Sequence, residues 1–167
     1  MRIISGKYKG YLIETVNDSS TRPMMSKARE GIFNTLQNEF NNSTVLDLYA
    51  GSGSLGIESL SRGADFVTFI ELSTKCSKII NKNLQKMEVN FTVLETRVSE
   101  YINQSHEKFD IIFYDPPFST SNGEIDNELI VVQDLMNINS KLVVHRHKSS
   151  DQFVYPVSYT HLTLPTI

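Results

Sequence analysis

An acid, two prolines and an aromatic ring stand in succession at Asp115-Pro116-Pro117-Phe118, directly after the apolar run Phe109-Asp110-Ile111-Ile112-Phe113-Tyr114. Neither proline has an N–H to donate and each fixes its own φ, so no sheet ladder continues through them. The carboxylate therefore stands where a strand ends and a stiff loop begins, the position at which open α/β sheets bind their ligands. A carboxylate and an immobilised backbone carbonyl, here Asp115 and Pro116, can each accept one N–H of an amino group whose lone pair is delocalised into a ring. That pairing favours a pyramidal nitrogen with its lone pair aimed at an electrophile, and catalysis is then orientation and charge placement. Phe118 can stack on the ring that carries the amine. Tyr114 is turned away from Asp115 by strand alternation and reads as core. Taken alone, the four residues also fit a rigid turn with an incidental phenylalanine.

A second constellation lies upstream. Gly51, Gly53 and Gly56 satisfy G-x-G-x-x-G, and Glu71 follows Gly51 by 20 residues. That is the spacing of a dinucleotide fingerprint, in which the acid accepts hydrogen bonds from ribose hydroxyls. Asp47-Leu48-Tyr49-Ala50 intervenes between strand and glycines, placing a carboxylate just before the turn. Helix N-termini suit a pyrophosphate; an added carboxylate suits a cationic group better, such as the ammonium of S-adenosylmethionine. A nicotinamide- or nucleotide-binding module remains the reading from another class.

These residues need elements to position them. Arg2-Ile3-Ile4 and Tyr11-Leu12-Ile13 flank a glycine-bounded piece and read as a small basic hairpin. Asn17 to Thr21 is loop, and Arg22-Pro23 is extended. Ser26 caps a helix to about Phe40, with Ala28, Ile32, Phe33, Leu36 and Phe40 on one face. Buried strands follow at Thr44–Leu48, Phe66–Ile70 and Phe91–Leu94, then from Phe109, and at Lys141–His145. Between them run helices from the glycine turn to about Arg62, from a Ser73 cap to about Met87, around Val98 to Gln104, and from Ile125 to Met136. Alternation of this kind implies right-handed βαβ crossovers and an α/β fold with a mostly parallel sheet and helices on both faces.

With these motifs in place the chain resembles a family, the Rossmann-like S-adenosylmethionine-dependent enzymes that methylate guanine N2 in bacterial small-subunit (16S) ribosomal RNA. Asp47-Leu48-Tyr49-Ala50-Gly51-Ser52-Gly53 and Asp115-Pro116-Pro117-Phe118 carry the general resemblance to amino-group methyltransferases. Arg2-Ile3-Ile4-Ser5-Gly6, Arg22-Pro23, Arg29-Glu30 and Ile32-Phe33-Asn34 narrow it. The resemblance implies S-adenosylmethionine as cofactor. Asp47, Ala50, Gly51 and Gly53 would hold its methionine end, Glu71 its ribose, and the backbone of Val98 its adenine. Family members commonly carry an Asp or Asn where this chain has Arg97, so a side-chain contact to adenine is not expected here. Asp115, Pro116 and Phe118 take the catalytic roles. A DNA adenine N6 or protein glutamine methyltransferase would use the same chemistry on another substrate.

Charge distribution favours nucleic acid. Residues 1–29 hold six basic side chains against two acidic ones, whereas the remainder holds ten against 17, within a net charge of −3. Lys27 and Arg29 fall near a helix start, where the macrodipole gives a cation nothing. Lys7, Lys9, Arg22, Lys27 and Arg29 are thus the expected contacts to ribosomal RNA or the small ribosomal subunit. One cysteine, Cys76, excludes an internal disulfide and points to a reducing compartment, and no run of membrane-spanning length is present. A cytoplasmic monomer is expected. The four histidines form no recognisable site and no metal is expected. Residues 1–40 read as the basic lead-in and 41–156 as the methyltransferase core. Residues 157–167 match nothing in the family and are expected to be a non-native tail in place of the closing strands.

Neutralising Lys7, Lys9 and Arg22 together is expected to weaken RNA association and to flatten its dependence on salt, since fewer counterions are released. Filter binding across a salt series checks this; an unchanged slope would reduce the arm to a solvated surface.

Overall fold

The computed structural model describes residues 1–16, 26–146 and 161–163. Its order is α1 (Ser26–Thr35), β1 (Thr44–Leu48), α2 (Ser54–Ser61), β2 (Phe66–Glu71), α3 (Thr74–Leu84), β3 (Phe91–Glu95), α4 (Val98–Gln104), β4 (Phe109–Tyr114), α5 (Asn122–Val132), a 3-10 turn (Gln133–Leu135), β5 (Met136–Val144) and β6 (His161–Thr163). The strands form one sheet in the order β3-β2-β1-β4-β5-β6, and every pairing between them is parallel. Order reverses between β1 and β4, the place where a doubly wound sheet opens a crevice.

Strand alternation divides the core in two. Val45, Val67, Phe69, Ile111, Phe113 and Val143 point to one face, where α1, α2 and α3 supply Phe33, Ile57 and Ile80. Their neighbours Leu46, Leu48, Ile70, Ile112, Tyr114 and Leu142 point to the other, covered by α4 and α5 through Ile102, Ile125 and Leu129. A strand buried on both faces must be apolar throughout, which is why β4 reads as a continuous run. Asp47 is the exception in β1, at 1% exposed.

Several boundaries differ from expectation. α1 stops at Thr35, and Leu36 and Phe40 reach the core from the turn that follows. α3 ends at Leu84 rather than near Met87. α5 starts earlier than Ile125, because Ser121 and Glu124 make a reciprocal capping box. β5 begins at Met136, five residues before the expected strand, with a register shift opposite Phe109 and Ile111. At the far edge, His161–Thr163 pairs with Leu142–Val144. A short parallel strand from within residues 157–167 thus lies beyond β5, which does not end the sheet.

The N-terminal hairpin is docked rather than loose. Ile3 and Tyr8 enter the core beside α1 and α2, and Arg2 bridges Leu12 antiparallel. Glu58, fully buried on α2, accepts from Ile4 N (2.8 Å) and Ser5 N (3.0 Å) and from Arg62 Nε (2.9 Å). Gly6 passes so close to the end of α2 that a Cβ would lie 1.8 Å from the Ser61 carbonyl oxygen, and its φ is +88°. Only glycine fits there.

Glu58→Ala would strand those two backbone donors and the Arg62 guanidinium. We expect it to cost about 3–5 kcal/mol, the scale of breaking a buried ion pair from one side. Urea denaturation checks the magnitude, and early proteolytic release of the first residues checks the location.

Candidate active site

Parallel register brings the chemistry to one edge. Leu48 of β1 lies opposite both Ile70 of β2 and Tyr114 of β4, and Tyr114 lies opposite Val144 of β5. The residues that follow or terminate these strands, Tyr49, Glu71, Asp115 and His145, therefore form one row across the carboxyl ends. Neighbouring strands are about 4.8 Å apart, which sets Glu71 and Asp115 on either side of β1.

The glycine loop fills the gap between them. Tyr49 (φ +59°), Gly51 (φ +58°) and Gly53 (φ +80°) all adopt left-handed conformations, so the chain reverses sharply from β1 into α2. Ala50 is buried, and its carbonyl accepts from Gly53 N at 2.8 Å. Glu71 braces the loop, accepting Gly51 N with Oε2 at 2.7 Å and Ser73 N with Oε1 at 2.8 Å. Each carboxylate oxygen keeps a further lone pair for a ligand hydroxyl. Gly56 lies against the Phe69 ring, where a Cβ would come within 2.2 Å, so α2 can pack tightly on β2.

Asp47 sits beneath this loop. Its Oδ2 accepts Gly56 N at 3.0 Å, but burial, with Asp115 and Glu71 adding repulsion, holds its carboxyl well above the usual range. Glu71 and Asp115 are thus near enough for their negative charge to act on Asp47. Such a site attracts a cation and repels a phosphate.

At the end of β4, Pro116 is buried, Pro117 exposed, and Phe118 53% exposed, so the ring is presented at the surface. Asp115 is partly exposed and its Oδ1 lies 2.7 Å from Nδ1 of His145, whose side chain is 12% exposed. The hydrogen bond to Asp115 raises the His145 pKa, against the lowering effect of burial. The four histidines form no recognisable site of their own in the sequence; the structure sets one of them, His145, against Asp115. The sequence carried part of the signal: His145 ends the strand expected after β4, but only the observed β4–β5 pairing makes it a neighbour of Asp115. Tyr114 is core as expected, and its hydroxyl donates to Glu128 Oε2 at 2.7 Å. Tyr49 donates to the same carboxylate, and its own pKa is raised chiefly by burial.

Val98 is buried at the start of α4, after Arg97, whose side chain is 66% exposed and faces Glu100. Of the expected RNA contacts, Lys7, Lys9 and Lys27 are exposed. Arg22 lies outside the described residues. Arg29 is a correction: it is 3% exposed, with Nη2 donating to the Arg2 carbonyl at 3.0 Å. It shares the helical face of Ile32, Phe33 and Leu36, which the hairpin covers. Lys7 is not adjacent to Asp115. Its backbone N–H binds Ser61 O at 2.7 Å, at the end of α2 opposite the glycine loop. Among the described residues no three His, Cys, Asp or Glu side chains gather as metal ligands, and no helix is long and apolar enough to cross a membrane.

A family model described as "Conserved hypothetical protein 95" matches residues 1–163. The chain belongs to this family. Similar to it are two proteins named "Ribosomal RNA small subunit methyltransferase D". The one from Haemophilus influenzae is 33% identical over 97% of this chain and 86% of its own length. The one from Buchnera aphidicola (subsp. Baizongia pistaciae) is 32% identical over 93% and 81%. Among solved structures, "Putative methyltransferase yhhF from Escherichia coli" superposes with a TM-score of 0.80 at 28% identity, covering 90% of this chain and 84% of that one. The family chain thus has the Rossmann-like methyltransferase fold. The fold alone is also shared, at 19% identity and a TM-score of 0.62 over 72% of this chain and 34% of the other, with a solved structure described as "SMU.776, a putative methyltransferase complexed with SAH".

Asp47→Asn keeps an acceptor for Gly56 N but removes a buried charge. A carboxyl whose folded pKa is raised binds its proton more tightly when folded, so wild-type stability declines as pH rises from the unfolded value through the folded one. The variant is expected to melt higher than wild type at pH 8 and nearly level with it at pH 4. Paired thermal melts at both values check this, and a gap that does not close on acidification would remove burial of the charge as its cause.

Proposed function

We propose that this protein transfers a methyl group from S-adenosylmethionine to the exocyclic N2 of a guanine in small-subunit ribosomal RNA. The observation that carries the reading is the placement of Asp115-Pro116-Pro117-Phe118 in the same row as the Glu71-braced glycine loop, with Phe118 presented at the surface. The names of the relatives support the substrate class.

The residues fit the cofactor on their own chemistry. Neighbouring carboxylates suit a molecule that carries an ammonium and a sulfonium, and they disfavour the pyrophosphate of a nicotinamide dinucleotide. Asp47 and the Ala50–Gly53 backbone would hold the amino-acid end, Glu71 the ribose hydroxyls, and the Val98 backbone the adenine. When bound, the cofactor supplies an already activated methyl group. The chain itself supplies orientation. Asp115 and the Pro116 carbonyl each accept one N–H of the guanine amine, and the carboxylate stabilises the positive charge that develops on that nitrogen. Phe118 stacks on the base and holds it away from its neighbours in the RNA. Lys7, Lys9 and Lys27 contribute phosphate contacts.

Two substitutions separate the roles. Asp115→Asn keeps the size and loses the charge, so single-turnover transfer should fall by two orders of magnitude or more (roughly) with cofactor affinity retained. Glu71→Ala should instead weaken S-adenosylmethionine binding by about 1.5–3 kcal/mol while leaving RNA association intact. The direct test is transfer of a tritiated methyl to ribosomal RNA, free and in subunits, followed by nucleoside analysis. N2-methylguanosine is the expected product. A methylated adenine, or label in protein alone, would overturn the substrate assignment. Wild-type turnover by a folded Asp115→Asn protein would overturn the catalytic one.

A further inference from the structure

Asp115 can orient an amine only if its own carboxylate is held still. A partly exposed aspartate at the start of a loop has several rotamers of similar energy, and prolines stiffen its backbone without fixing its side chain. What fixes it here is His145, with Nδ1 lying 2.7 Å from Oδ1. His145 is itself held: its backbone N–H donates to the Tyr114 carbonyl at 3.0 Å, so the β4–β5 ladder continues one residue past the strands. The contact therefore joins two rigid strand ends rather than two loops.

We propose that His145 is a positioning residue for methyl transfer, clamping Oδ1 of Asp115 so that Oδ2 is the oxygen presented to the target amine. The inference rests on the functional reading above and adds a residue to that site. An ionised carboxylate can only accept, so the proton in the contact belongs to the imidazole and Nδ1–H is the donor. The raised His145 pKa agrees with that direction. One oxygen is occupied and its partner is aimed, which gives a single rotamer a single use. Among the described residues, nearby polar side chains make other bonds. Arg146 reaches Asn122 Oδ1 at 3.0 Å, and the Tyr49 and Tyr114 hydroxyls both go to Glu128.

A clamp makes a prediction that a merely structural histidine does not. His145→Ala should lower the single-turnover rate about 100-fold, the scale of a small misplacement of a reacting group. Half-saturating RNA concentration and S-adenosylmethionine affinity should stay within about threefold, since His145 touches neither. His145→Asn places an amide N–H near the position of Nδ1–H and should restore most of the rate without restoring an imidazole. Melting temperature and cofactor affinity, measured on each preparation, confirm that a folded protein is being compared. Full activity in His145→Ala would overturn the clamp while leaving the methyltransferase reading in place. An Asn variant as slow as Ala, though folded and cofactor-bound, would likewise overturn it. A wild-type protein that transfers no methyl to RNA would overturn both.

Discussion

The parallel register of β2, β1, β4 and β5 is the constraint on which the site depends. Ile70, Leu48, Tyr114 and Val144 lie opposite one another in sequence across the sheet, so the groups beyond them arrive together. A one-residue slip of β4 would exchange its two faces, placing Tyr114 where Phe113 belongs. The apolar clusters on either side make that slip costly, because each strand contributes alternate residues to two different cores. Site geometry is thus set by hydrophobic packing several residues away from it. None of the reacting groups needs to contribute to stability for this to work.

Some of them oppose it. Asp47 is a carboxylate in a buried strand, with a single backbone N–H from Gly56 as compensation and two further acids nearby. Burying a charge without a counter-charge is unfavourable, and the fold retains it at a strand end that is otherwise apolar. A cation bound there would offset that repulsion. The positive φ of Tyr49 belongs to the same account: a non-glycine residue held in a left-handed conformation, anchored by its hydroxyl to Glu128 on α5. Strain and unpaired charge gather at the loop where a ligand would relieve them.

Much of this was legible in the sequence, and the reasons are physical. Strands buried on both faces are short continuous apolar runs, so β1 to β4 could be placed to within a residue or so. The glycine turn was legible because left-handed φ values restrict the residues that can occupy it, and Ser73 because it caps its helix. Tertiary effects were not legible. Arg29 lies on an apolar helical face, yet its charge suggested a surface until the hairpin was seen to cover it. Nor does local pattern show that Glu58 holds the first residues of the chain. His145 was visible as the end of a strand; what was missing was the knowledge that its strand neighbours β4. That follows from strand order, which local pattern does not encode.

The position of the basic hairpin carries the argument furthest from the sequence. Lys7 is tied to the end of α2, and the glycine loop leads into its start; eight residues of helix separate them, about 12 Å. Nucleotides along one strand of a duplex are spaced about 3.4 Å apart. On the proposed reading, a hairpin lysine and the active-site edge of the sheet would meet nucleotides several steps apart. Phosphate contacts at one end would then fix where the RNA lies, and the ring at the other end would receive a base that has left its stack. Lys7 is only loosely engaged by Glu88 at 3.5 Å, a surface pair that a phosphate can displace at little cost. On that reading, affinity and chemistry would be carried by separate parts of the fold, joined by α2. Such a separation would let charge on the hairpin govern how RNA is held without altering the row of acids at the sheet edge.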